Sequence, residues 1–147
     1  MGISDHVIAE GENILMFIPQ RQPMVMIEKL HKAEGGQTIS SLYLHENNIF
    51  CKDGFFEEPG LIENIAQTAA VGVGFEYRNQ SKDVPTGYIG AVQKLNIYKL
   101  PKVNSTIYTE VNVEHQVFNT TLINGKINCD NQVIADCTMK IFLDEKK

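Results

Sequence analysis

Glu63 and Gln67 stand four residues apart within a stretch, 57–77, whose apolar positions recur at helical intervals. That spacing puts both side chains on one helix face. Pro59 suits the first turn of such a helix, where its missing N–H has no intrahelical partner, so Glu63 falls about one turn inside the N-terminus. A carboxyl group there, turned toward apolar surroundings, would be partly desolvated. Desolvation favours the neutral form, which can donate a proton. The plainer reading is a solvated glutamate that complements the helix dipole. Acid–base chemistry also needs a proton acceptor. Asp53, in the loop before the helix, and His45, on the segment before that loop, are the nearest candidates. An ordinary carboxylate is a weaker base than imidazole, and His45 has the plainer reading of a strand-end residue in solvent. His115 falls in phase with a late apolar strand and reads as structural, while His6 and His31 have no chemical context.

The elements that must position these groups follow from periodicity. Leu61, Ile65, Ala69 and Val73 repeat every four residues, and Ala66, Ala70, Gly72 and Gly74 add an unusual density of small side chains. Each glycine inside a helix costs about 1 kcal/mol relative to alanine. Tertiary structure must therefore favour them, and close approach of a surrounding backbone is the simplest cause. Before this helix, a helical turn is expected at 14–17, then two proline breaks, a buried strand over 24–30, a turn at Gly35-Gly36 and a returning strand over 38–45. After it, strands are expected over 86–98, 107–114, 120–129 and 133–143, with a turn at Asp130-Asn131. One long helix among antiparallel strands must bury its apolar stripe against one sheet face. The expectation is an α+β hotdog fold: a single domain over 1–147, its central helix wrapped by a curved sheet of five or six strands.

Composition narrows the partners. The 147 residues carry a net charge of -5, which argues against nucleic acid, because phosphate contacts need a basic surface. Cys51, Cys129 and Cys137 form no metal spacing, and an odd count suggests reduced thiols in a cytoplasmic protein. No apolar run approaches the ~20 residues that span a bilayer, so no membrane partner is expected. Gly35-Gly36 is a turn and Gly72-x-Gly74 lies late in a helix, so neither opens a phosphate loop. No cofactor or metal is expected.

Two segments carry a resemblance. Ile18-Pro19-Gln20-Arg21-Gln22-Pro23, followed by the apolar Met24-Val25-Met26-Ile27, resembles the early motif of the β-hydroxyacyl-carrier-protein dehydratases, with Gln20 in place of that motif's histidine. Pro59-Gly60-Leu61-Ile62-Glu63-Asn64-Ile65-Ala66-Gln67 looks like the family's helix start, with a shorter step from glycine to glutamate. The stretch 88–101 is similar to the strand after the helix. These variant motifs most resemble dehydratase-like proteins of bacterial aryl-polyene or flexirubin-type pigment pathways. The resemblance implies loss of water from a 3-hydroxyacyl thioester carried by acyl-carrier protein or coenzyme A. Glu63 matches the family's helix carboxylate, and Gly60 and Leu61 its helix-start backbone donors. Gln67 accompanies them. Arg21 is either an ion-pair partner or a phosphopantetheine contact, and Phe55 and Phe56 are either acyl-channel residues or plain core. Lys94, Lys99 and Lys102 are either a carrier-protein patch or a solvated face.

The family's loop histidine is missing from 50–56, where Asp53 falls nearest its place. Three readings follow: a dehydratase using Glu63 with Asp53 or His45, a hotdog acyl thioesterase, or a non-catalytic acyl-binding subunit that pairs with a partner supplying the base. A homodimer, a larger assembly of dimers or a heterodimer is expected, since the family's sites form between subunits.

Overall fold

Gly35 and Gly36, both at positive φ, close a tight hairpin between β2 (Lys29–Glu34) and β3 (Gln37–Tyr43). In the computed structural model of the chain, which describes residues 6–144, this hairpin starts an antiparallel sheet. Before it come the short β1 (Ala9–Glu10) and a 3-10 turn (Gly11–Met16). A small separate hairpin, β4 (Cys51–Lys52) and β5 (Phe55–Phe56), leads into the one α-helix, α1 (Glu58–Asn79). The long strands β6 (Thr86–Ile97), β7 (Thr106–Val117), β8 (Thr120–Cys129) and β9 (Gln132–Asp144) follow. The main sheet has seven strands in the order β1-β2-β3-β7-β8-β9-β6. The expected number was five or six. The seventh is β1, a two-residue strand pairing Ala9 with Leu30 in a polar segment that carries no strand pattern.

Helix α1 runs across the sheet and buries Leu61, Ile65 and Ala69 among Ile107, Val111, Ile123, Ile127 and Met139. A second cluster, of Ile14, Phe17, Ile18, Val25, Ile27 and Leu30, packs around Val71. The small residues have the expected cause. A Cβ on Gly74 would lie 2.9 Å from the backbone carbon and Cα of Phe17, and one on Gly72 3.1 Å from Thr38 Cβ. Larger side chains would lift the helix off its bed.

One expected strand moves. Regular pairing begins only at Lys29, although Val25, Met26 and Ile27 are buried as predicted. The Met26 N–H donates to Gln67 Oε1 (2.7 Å), and the Met26 carbonyl accepts from Asn64 Nδ2 (2.8 Å). Helix side chains thus take both backbone groups that a strand neighbour would have used.

Candidate active site

Glu63 is half-buried on α1, and its Oε2 accepts a hydrogen bond from Gln67 Nε2 at 2.6 Å. The fully buried Gln67 also donates to the Met24 carbonyl (2.8 Å), so one amide ties the acid to the segment leading into β2. Beneath it, Asn64 accepts from the Thr109 hydroxyl at 2.5 Å. Thr68 donates back to the Asn64 carbonyl and shares a hydrogen bond with Ser40. This polar spine fixes the rotation of the helix and hence the direction of Glu63.

Glu63 lines a cavity of about 300 Å³ along the Ala66, Ala70 and Val73 face of α1. Its floor is Val111, Ile123, Thr121, Ile141 and Leu143, from β7, β8 and β9. Gly87, Tyr88 and Ile89 of β6 form one wall, and Phe17, Pro19 and Gln20 another. The volume falls at the small end of ligand pockets. Two other carboxylates border it, Glu34 and Glu76, both exposed. Glu76 sits thirteen positions along the helix from Glu63, about 20 Å at 1.5 Å per residue. No histidine of the described residues lines this cavity.

The other sequence candidates do not converge there. Asp53 is exposed at the tip of the β4–β5 hairpin with φ 53°, and His45 is exposed with its ring edge-on to Tyr43. Neither is among the residues that line the cavity. The Gly60 and Leu61 N–H groups both donate to the Glu57 carbonyl, closing the first helical turn. Gly60 is glycine for packing, since a Cβ would lie 2.5 Å from the Phe56 ring. Leu61 and Phe56 are core, while Phe55 is partly exposed and its backbone bridges to Lys102. Arg21 donates to the carbonyls of Ile18 and Gln20, bracing its own loop. Lys94, Lys99 and Lys102 are all exposed. Sequence reasoning singled out neither Gln20 as a cavity residue nor Thr121. The oxygens Gln20 Oε1 and Thr121 Oγ1 are buried without a hydrogen-bond partner.

The thiols offer no alternative nucleophile of the usual kind. Burial pushes the Cys137 thiol up to about 11, with Asp136 adding to the shift. Burial and Glu57 raise that of Cys51. At neutral pH both stay protonated and poorly nucleophilic.

The family description ApeP-like (ApeP dehydratase) matches residues 12–147. The chain belongs to the ApeP-like dehydratase family. This ApeP-like chain is 24% identical over 136 residues to the 3-hydroxyacyl-[acyl-carrier-protein] dehydratase FabZ of Lactobacillus helveticus (strain DPC 4571), covering 86% of this chain and 84% of that protein. Its fold matches the dehydratase heterocomplex ApeI:P from Xenorhabdus doucetiae with a TM-score of 0.79 at 16% identity, over 90% of this chain and 91% of the other. It also matches a hypothetical thioesterase with coenzyme A from Streptococcus pneumoniae TIGR4 (TM-score 0.65, 14% identity, 80% of this chain and 86% of the other). The hotdog architecture is therefore common to these proteins, and family membership places the ApeP-like chain on the dehydratase side. Among the described residues, no helix is long and apolar enough to cross a membrane.

Proposed function

We propose that this chain is the acid-bearing half of a dehydratase that converts 3-hydroxyacyl-carrier-protein thioesters to 2-enoyl thioesters and water. The observation that carries this reading is Glu63, held by Gln67 at the head of a largely apolar cavity with no histidine among the described residues that line it. In the reaction the C3–O bond breaks as Glu63 delivers a proton to the leaving oxygen, and a base removes the α-proton as the C2–C3 double bond forms. Glu34 and Glu76 are solvent-exposed carboxylates at the cavity's border and Asp53 and His45 lie outside its lining, so the reading assigns that base to a second subunit.

Strand β6 supports the same reading. It pairs with β9 alone, leaving a twelve-residue edge that exposes Tyr88, Ile89 and Leu95. Long apolar edges are templates for pairing with another chain. Gly87, Tyr88 and Ile89 are also cavity wall, so a hotdog partner added at this edge would bring its residues beside the acyl chain. The substrate is a carrier-protein thioester of the cytoplasm, with the exposed Lys99 and Lys102 offering local positive charge to an acidic carrier.

Mass spectrometry of a 3-hydroxyacyl-carrier-protein tests this, using the pure chain alone and the chain with its co-purifying hotdog partner. Loss of water only in the complex, reduced at least 100-fold by Glu63→Gln, is the expected result. Release of free acid would identify a thioesterase instead. Full dehydration by the pure chain would show that the base lies within it.

A further inference from the structure

The cavity that Glu63 heads has a length as well as a volume. Glu63, Ala66, Ala70 and Val73 all line it and fall within about 80° of one another around α1, so they form one row leading away from the acid. At 1.5 Å per residue, Ala66 stands about 4.5 Å along the axis from Glu63, Ala70 about 10 Å and Val73 about 15 Å. At about 20 Å the lining turns polar, with the exposed carboxylates of Glu76 and Glu34 at its border. The apolar stretch is therefore about 15 Å long. Spread over that length, about 300 Å³ leaves a cross-section of about 20 Å², the width of one extended hydrocarbon chain.

Ala66 and Ala70 differ from the glycines of the same helix. A Cβ on Gly72 or Gly74 would meet Thr38 or the Phe17 backbone, whereas Ala66 and Ala70 are half-buried and border the cavity. A larger apolar side chain at either position would project into that space and shorten it. An extended acyl chain advances about 1.25 Å per carbon, from C–C bonds of about 1.52 Å at near-tetrahedral angles. With C3 beside Glu63, Ala66 lies level with about C6, Ala70 with about C11 and Val73 with about C15. Volume gives a similar limit. A methylene fills about as much room as a water molecule in the liquid, roughly 30 Å³, so the cavity holds about ten methylenes beyond C3 and reaches about C13.

We infer that this cavity measures the acyl chain: it takes a single unbranched chain extended along α1 to about C14, with Ala66 and Ala70 setting the open depth. The inference rests on the dehydratase reading and adds the substrate's chain length to it. Each methylene up to that limit leaves water for apolar surroundings. One placed beyond it emerges beside the hydrated carboxylates of Glu34 and Glu76 and gains nothing.

The test uses a series of amide-linked 3-hydroxyacyl pantetheine analogues with even-numbered chains from about C4 to about C18, their affinities for the assembled protein being measured by calorimetry. In wild type each added pair of methylenes should tighten binding about tenfold, up to a plateau at about C14. Ala70→Leu should bring the plateau back to about C10 and Ala66→Leu to about C6, with the folding of each variant checked by urea unfolding. A wild-type plateau outside about C12–C16 overturns the inference without reference to any variant. So does a plateau that stays at the wild-type length in either folded variant. Binding with the wrong plateau overturns the chain length alone. If folded wild type binds no analogue of any length, the dehydratase reading of the cavity fails, and this inference with it.

Discussion

Replacing Gln67 by leucine probes the clamp on which both Glu63 and the Gln20 loop depend. The Gln67 amide is fully buried and makes three bonds, to the Met26 N–H, the Met24 carbonyl and Glu63. Leucine fills similar space with neither a donor nor an acceptor. Met26 is 1% exposed, so its N–H loses its partner where water cannot substitute, at a cost of about 1–3 kcal/mol. Met24 is 40% exposed, and its carbonyl can turn to solvent at little cost. Losing the bond to Glu63 costs about 0.5–1.5 kcal/mol more. The added apolar burial of leucine offsets about 1 kcal/mol. The balance is a destabilisation of about 2 kcal/mol. With a urea slope of about 2 kcal/mol/M, the unfolding midpoint should fall by about 1 M at unchanged slope. In a chain of 147 residues the same loss lowers Tm by roughly 4–8 °C. The assembled enzyme should also lose at least about tenfold in kcat/KM, because Glu63 would no longer be held in place. A midpoint within about 0.2 M of wild type would refute the claim that this amide secures the segment before β2.

Two further substitutions test the packing around the cavity. Gly74→Ala should gain about 1 kcal/mol of helix propensity yet destabilise the protein by about 1–2 kcal/mol net, because the new methyl meets the Phe17 backbone. Equal or greater stability by urea unfolding would mean that the loop at Phe17 yields easily. Thr121→Val keeps the shape of a side chain that is 5% exposed and removes its unpartnered hydroxyl. It should raise stability by about 1 kcal/mol by the same measurement, and a loss of stability would show that the hydroxyl has a partner in solution.

The helix was readable because two independent signals agreed. Leu61, Ile65, Ala69 and Val73 set its apolar stripe, and Pro59 set its start, within a residue of the observed Glu58–Asn79. Of the long strands after it, 107–114 was readable from its alternation and the others from breaks such as Pro101 and the turn at Asp130-Asn131. The segment 24–28 was not, since its apolar run looks the same whether its backbone bonds go to a strand or to side chains. Asn64 and Gln67 take those bonds, and both lie more than thirty residues away in sequence. Asp53 and His45, near Glu63 along the chain, stand exposed at the β4–β5 turn and just after β3, and neither lines the cavity that Glu63 lines.

The sequence by itself determined the period of each element, the density of small residues on α1 and the presence of a carboxylic acid one turn inside that helix. These are local properties, set by backbone geometry and side-chain size within a few residues. Tertiary structure alone decided where the acid points, that Gln20 and Thr121 share its cavity, and that β6 is left with an open edge. Those outcomes depend on how the helix crosses the sheet. That crossing follows from contacts such as Gly74 on Phe17, Gly72 on Thr38 and Ile65 over Gly125, between residues whose distance along the chain says nothing of their approach in space.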